Sequence, residues 1–267
     1  MKSKERLDVL LFESGMAESR EKAKRLIMAG VVFVNDQRVD KAGTKVDIYS
    51  NIIIKGNDNP FVSRGGFKLD KALKVFGGDV TDKICMDVGA SSGGFTDCLL
   101  QNGAKKVYSI DVGYGQFAYK LRQDERVVCL EKTNFRNMEF EKVGELVDVA
   151  VMDVSFISIL KLADNLLNFL KDDGFYICLI KPQFEAGKDL VGNGIIKDKN
   201  IHKKVVKDVI YGLKDKGLYV EKLDYSPIKG PKGNREFIAY VTKNEDNIID
   251  IETTVEKCVE DAHKELK

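Results

Sequence analysis

The sequence predicts an α/β protein: a doubly wound, mostly parallel sheet whose last strand is antiparallel, preceded by a small α+β unit. Three observations carry this. From Ile84 onward, apolar strand-like runs alternate with segments long enough for crossover helices, and a glycine-rich turn follows the first of those strands. A polar, turn-forming stretch, Gly56-Asn57-Asp58-Asn59-Pro60, separates that pattern from a differently built front end. The expected units are 1–58 and 59–267.

In the front unit Leu7, Leu10 and Leu11 have helical spacing and stop at Gly15; Ser19 then caps a second helix with the face Ala23, Leu26 and Ile27, ending at Gly30. Residues 31–34 and 38–39 flank Asn35-Asp36, a pair suited to a tight hairpin. Beyond the linker, strands are expected at 84–88, 107–112, 127–130, 147–154 and 175–180, with helices over 95–101, 116–122, 157–170 and 199–216. The last two strands, 219–225 and 236–242, are joined by a Gly/Pro-containing loop too short for a helix, so they should pair antiparallel. A helix over 249–266 closes the pattern.

Composition excludes several function classes. The 267 residues carry 43 Lys+Arg against 42 Asp+Glu, and the longest apolar runs are a few residues, where a membrane-crossing helix needs about 20. The charged stretch 1–13 has no apolar core of a signal peptide, so a cytoplasmic location is expected. The five cysteines are scattered and form no C-x-x-C pair, which argues against a disulfide framework and a structural zinc site. His202 and His263, the only histidines, have no ligand-type neighbours in sequence and read as structural or exposed. The balance of charge is uneven: residues 1–76 hold fifteen Lys/Arg against ten Asp/Glu, so a polyanion suits the front end.

The segment Asp87-Val88-Gly89-Ala90-Ser91-Ser92-Gly93-Gly94-Phe95-Thr96 leaves the first sheet strand and opens a helix, where open α/β sheets bind ligands. It has neither the G-x-G-x-x-G dinucleotide fingerprint nor the G-K-[ST] ending of a phosphate loop. Asp111, 22 positions after Gly89 and followed by Val112, ends the next strand, where a carboxylate can accept hydrogen bonds from two ribose hydroxyls. A nucleoside without pyrophosphate fits best, and S-adenosylmethionine is one.

Together with Ser109 to Gln116 and Glu131-Lys132-Thr133-Asn134, this segment resembles the TlyA-type ribosomal RNA methyltransferases, also called hemolysin A, whose catalytic half is similar to the FtsJ-type 2′-O-methyltransferases. Arg6-Leu7-Asp8, Ser19 to Ala23, Leu26 to Gly30 and Val34-Asn35 resemble the S-four RNA-binding domain. Two departures stand out: Asp36 where that domain usually has Gly, and Ser91-Ser92 where FtsJ-type enzymes tend to carry Ala-Pro. The resemblance implies a Rossmann-like methyltransferase sheet, S-adenosylmethionine as cofactor, with Gly89, Ala90, Ser91, Gly93, Gly94, Phe95, Thr96, Asp111, Val112, Asn134 and Asp153 around it, and no metal. It also implies a Lys-Asp-Lys-Glu tetrad, matched by Lys68 in Ser63 to Leu69, Asp153 in Met152 to Phe156, Lys181 in Ile180 to Phe184 and Glu236 in Gly233 to Phe237.

Apart from any family, Asp153 and Lys181 each lie one step past the apolar part of a parallel strand, at the edge where the ligand is expected. Transfer to a ribose 2′-hydroxyl needs the hydroxyl placed in line and its proton removed, which suits Lys181 as base or orienting group. Lys68 and Glu236 are assigned to holding the hydroxyl and the tetrad geometry. The RNA surface is expected at Arg6, Arg20, Lys24 and Arg25, with Arg64 at the junction. The expected substrate is ribosomal RNA or a ribosomal subunit, at cytidine ribose, not DNA or a membrane. Rival readings are a membrane-active hemolysin, which lacks a spanning tract and ends in a heavily charged helix, and an RNA-binding assembly factor without activity, which the intact tetrad disfavours.

Overall fold

The computed structural model describes residues 4–17, 19–55, 59–192, 194–230 and 233–266. Strand β1 (Lys4–Arg6) runs into helix α1 (Leu7–Glu13), and α2 (Arg20–Met28) starts at Ser19, whose hydroxyl accepts a hydrogen bond from the Lys22 amide at 3.1 Å. Strands β2 (Val32–Val34) and β3 (Gln37–Arg38) turn through Asn35 and Asp36, with φ of 49° and 63°; this is the hairpin expected there, and Asp36 takes the left-handed conformation that Gly would otherwise supply. Three strands were not expected, because three-residue runs carry too little alternation: β1, β4 (Lys45–Asp47), which pairs with it, and β5 (Ile52–Ile54), which pairs with β2, both pairings antiparallel. Leu7, Leu11, Ala23, Ile27 and Val32 form the core of this unit. Gly56-Asn57-Asp58 of the expected linker lie outside the described residues.

Helix α3 (Gly65–Phe76) also escaped the sequence reading. Its buried stripe, Lys68, Leu69, Ala72, Leu73 and Phe76, has helical spacing, but a lysine begins it. Then come β6 (Ile84–Val88), α4 (Gly94–Gln101), β7 (Lys106–Ile110), α5 (Tyr119–Arg122), β8 (Val127–Leu130), β9 (Val147–Met152), α6 (Leu160–Leu166) and β10 (Leu170–Ile180). The expected helices over 116–122 and 157–170 are shorter than thought. Residue 170 belongs to β10, which begins before a register shift between Leu170 and Phe175. The short helices α7 (Pro182–Glu185) and α8 (Lys188–Val191) precede α9 (Lys199–Lys214), β11 (Tyr219–Tyr225), β12 (Phe237–Thr242) and α10 (Ile251–Glu265).

The seven-stranded sheet has the order β11-β12-β10-β9-β6-β7-β8, with β12 antiparallel to both neighbours. Strand order reverses between β6 and β9, so the carboxyl edge of those two strands is the crevice of the fold. Because β12 runs backwards, its start lies at that same edge: Phe237 pairs with Ile180, the last residue of β10. Two apolar clusters, one on each face, sandwich the sheet. On one face α9 contributes Val205, Val206, Val209, Ile210 and Leu213. It is laced to α10 by Lys199–Glu260 and Lys203–Glu256 ion pairs at 2.6 and 2.5 Å, exposed pairs each contributing at most about 1 kcal/mol, so the apolar stripe dominates.

The two histidines face each other. His202 is buried, its Nδ1 lies 2.9 Å from His263 Nε2, and its Nε2 faces the Ile196 carbonyl at 3.1 Å. Burial, followed by the neighbouring imidazole, pushes His202 down to about 4, so the pair is a neutral link between α9 and α10.

Candidate active site

The turn after β6 is built from backbone freedom. Gly89, Ser91 and Gly93 have φ of 86°, 51° and 94°, and a Cβ on Gly89 would lie 2.9 Å from the Asp153 carbonyl oxygen. The turn therefore rests directly on the end of β9. Behind it, Thr96 donates to Asp87 Oδ2 through its amide (3.0 Å) and hydroxyl (2.7 Å), and that hydroxyl also meets Ser109 Oγ at 2.7 Å. Thr96 is wholly buried in this role, and Gly93 faces Leu121 and Phe117, so both shape the turn from within. Burial pushes the Asp87 carboxyl up to about 7, and its Oδ1 finds no donor among the described residues.

In front of the turn lies a cleft of about 480 Å³ lined by Gly89, Ser91, Asp111, Val112, Asn134 and Asp153 of the expected cofactor set, with Gln116, Thr133, Phe135 and Phe156. Ala90, Gly94 and Phe95 line an adjoining cleft of about 510 Å³ with Arg64, Lys68, Asp153, Ser155 and Lys181. Asp111 accepts from the Ser91 amide (2.8 Å), the Gly113 amide (2.6 Å) and Gln116 Nε2 (3.0 Å), which leaves about one lone-pair direction for a ligand. Among the residues lining the first cleft are two carboxylates and no Lys or Arg. That donor set, with the orphaned Asp87 oxygen behind it, fits a nucleoside carrying positive charge and is a poor match for a pyrophosphate.

The structure brings the four predicted ionic residues into one chain of alternating charge. Lys181 Nζ lies 2.5 Å from Asp153 Oδ1 and donates to Ser155 Oγ at 3.2 Å; Lys68 Nζ lies 3.0 Å from Asp153 Oδ2 and 2.7 Å from Glu236 Oε2. The lysine side chains are only 9% (Lys68) and 7% (Lys181) exposed. Burial alone pulls the Lys68 ammonium down, yet Asp153 and Glu236 outweigh it and hold it above the usual lysine range. Burial likewise favours a neutral Asp153, but Lys68 and Lys181 keep it below the usual carboxylate range. Gln183 Nε2 reaches Glu236 Oε1 at 3.5 Å, and a Cβ on Gly230 would strike that oxygen at 2.1 Å, so the loop before β12 closes over the glutamate.

Of the expected RNA residues, Arg6 and Arg20 converge on Asp8, while Lys24 pairs loosely with Glu21 at 3.8 Å and Arg25 is exposed on the same helix. Arg64 stands at the start of α3, where a groove of about 1340 Å³ runs between Lys22, Lys55 and Arg64 and the Ser91-Ser92 turn. Sequence reasoning missed Ser155 and Phe156. Phe156 is 91% exposed with φ of 66°, and its ring lies 5.0 Å from that of Phe184. A bulky residue held in this strained conformation at a cleft rim has little structural reason to be there, and only the position just after a strand-end aspartate hinted at it.

A profile described as FtsJ-like methyltransferase matches residues 61–243, and one described as S4 domain matches residues 5–48. The chain belongs to the FtsJ-like methyltransferase family. A Mycobacterium tuberculosis protein named 16S/23S rRNA (cytidine-2′-O)-methyltransferase TlyA is 38% identical over 251 residues, 93% of this chain and 94% of that one. Hemolysin A of Brachyspira hyodysenteriae is 46% identical over 237 residues, 88% of this chain and 98% of its own. A solved structure from Streptococcus thermophilus, described as a candidate hemolysin, superposes with a TM-score of 0.79 at 47% identity, covering 99% of this chain and 98% of that chain. The family expected from the motifs is thus the one found, and membership in the FtsJ-like methyltransferases brings S-adenosylmethionine as the methyl donor. Among the described residues no helix is long and apolar enough to cross a membrane.

Proposed function

We propose that the protein transfers a methyl group from S-adenosylmethionine to a ribose 2′-hydroxyl of ribosomal RNA, at cytidine, with residues 1–58 gripping the RNA and residues 59–267 carrying the chemistry. The observation that supports it most is the buried Lys181–Asp153–Lys68–Glu236 chain beside the turn at Gly89. S-adenosylmethionine supplies a methyl group already activated on a sulfonium. The residues that would hold it are the Gly89 to Ser91 backbone, Asp111 toward the ribose, and Asn134 and Val112 at the rim, with the Asp153 carboxylate near the positive charge.

What is left for the protein is to place the hydroxyl and take its proton. To act as base Lys181 must first release its own proton to solvent; the amine so formed has two N–H donors, faced by Asp153 and Ser155, and one lone pair for the 2′-hydroxyl proton as the new O–CH₃ bond forms. Lys68 and Glu236 keep Asp153 in place. The exposed Phe156 ring gives the target base a face to stack on, a contact worth about 1–3 kcal/mol per base. Ribosomal subunits as substrate agree with a cytoplasmic location. The test is incubation with labelled S-adenosylmethionine and purified ribosomal subunits, followed by mapping of the modified nucleotide. Label on a ribose 2′-oxygen supports the reading; label only on a base, or none, with red-cell lysis instead, overturns it.

A further inference from the structure

Asp8 is a buried anion in the middle of a surface whose proposed purpose is to bind an anion. Its side chain has no exposure, whereas those of its two partners, Arg6 and Arg20, are 43% and 47% exposed. Arg6 grips it with a two-pronged fork, Nε to Oδ1 at 2.9 Å and Nη2 to Oδ2 at 3.0 Å, and Arg20 Nη2 reaches the same Oδ2 at 3.4 Å. The partners come from different elements: Arg6 ends β1, Asp8 lies in the first turn of α1, and Arg20 opens α2.

We propose that Asp8 is a positioning residue for RNA, holding the Arg6 and Arg20 guanidiniums side by side as one clamp for neighbouring phosphates of a single strand; this rests on the RNA reading above. The Asp8 carboxylate is enclosed and both guanidiniums are about half exposed, so at this cluster a ligand meets the cations and not the anion that holds them, with Glu5 and Glu21 as the acidic neighbours in sequence. Each guanidinium has five N–H donors, of which Asp8 takes two from Arg6 and one from Arg20, so both retain donors for phosphate oxygens. Without the shared anion, two like charges this close repel and the long side chains fan apart, losing the preorganisation that makes paired contacts tight.

The inference predicts the opposite sign from plain electrostatics. Asp8→Asn adds one positive charge to the RNA-binding unit, so a diffuse charge model predicts tighter binding at low salt. Positioning predicts weaker binding, by about tenfold or more, with a shallower salt dependence. The measurement is a salt titration of a labelled RNA hairpin and of ribosomal subunits against full-length parent, Asp8→Asn and Arg6→Lys, with S-adenosylmethionine titrated into the same preparations as a check on the rest of the chain. Arg6→Lys keeps the charge and removes the fork, so it also should weaken RNA binding, and it carries the test if Asp8→Asn does not fold. Undiminished RNA binding by a folded Asp8→Asn, or by Arg6→Lys, overturns the inference alone. A parent chain that binds neither RNA overturns the RNA reading and the inference with it.

Discussion

Two aspartates in this molecule each sit between two cations, and the side on which the cations lie separates what the clusters do. Around Asp153 the lysines are inside, 9% and 7% exposed; around Asp8 the arginines are outside and the carboxylate is wholly enclosed. Enclosed cations lose their water, so their geometry is fixed by the protein and their interactions are strong, which is what a reaction needs. Exposed cations keep most of their donors for something else, and their attraction is screened by salt, which is what reversible RNA binding needs. In the function proposed above, the same ion-pair chemistry would serve catalysis at the sheet edge and RNA adhesion at the front.

The largest expected effect separates the two regions. Lys181→Ala should lower methyl transfer by about 10²–10⁴-fold while RNA and cofactor affinities stay near those of the parent, because the lysine is assigned to the hydroxyl proton alone. Side-by-side turnover and binding measurements decide it, and activity within about tenfold of the parent would reject Lys181 as base. Next is Asp153→Asn, which leaves two buried ammoniums without their common counter-charge and should cost about 3–5 kcal/mol of stability. The pH dependence follows in sign. Asp153 is held below its ordinary 3.8, so its stabilisation is present above that value and is lost as pH falls through the depressed one. Lys68 is held above 10.5, so its share is complete below that value and is lost as pH rises through the raised one. Denaturant titrations of the parent across pH should show both limbs, and the variant should lack Asp153's contribution to the acid one; an unchanged acid limb would mean that Asp153 is not paired as described.

The inner cluster was legible in the sequence down to its edge position, whereas of the outer one Arg6 and Arg20 were named but not the anion that joins them. Asp153 and Lys181 sit where apolar strand runs end, so their edge position follows from periodicity, and the backward run of β12 brings Glu236 to the same edge. Lys68 was named from its motif alone, since a lysine opening a buried helical stripe hides the helix that carries it. Asp8 was quoted only as part of the Arg6-Leu7-Asp8 motif and given no role, because an acid among the mixed charges of residues 2–13 looks like ordinary surface charge. Its burial depends on the closing of β1, β4 and two short helices, whose three-residue strands leave no periodic trace. Phe156 stood in the Asp153 motif without a role for another reason: a positive φ is a property of the folded turn, not of residue order.

A smaller effect tests whether the cofactor cleft is independent of the front. Asp111→Ala should weaken S-adenosylmethionine binding by about 1–3 kcal/mol, roughly 5- to 150-fold, through one lost ribose contact and the release of the Ser91 and Gly113 amides it now holds. RNA affinity should not follow. Calorimetric titration with unchanged cofactor affinity would move the ribose contact elsewhere.

The smallest expected effect is the cleanest probe of the outer cluster's surroundings. Lys24 and Arg25 lie on α2 beside Arg20, but neither is among the partners of Asp8, so neutralising them alters charge without disturbing the clamp. Lys24→Gln with Arg25→Gln should therefore leave thermal stability within about 0.5 kcal/mol of the parent, as surface substitutions away from special features do. If both residues touch phosphates, each removed contact takes about 0.7–0.9 from the slope of log affinity against log salt, so the slope should flatten by about 1.4–1.8. The loss should be equal for hairpins of different sequence, since phosphates carry no base identity. A slope that does not move would confine RNA contact to the Asp8 clamp and the Arg64 junction, and the remaining positive charge of α2 would then be ordinary solvated surface.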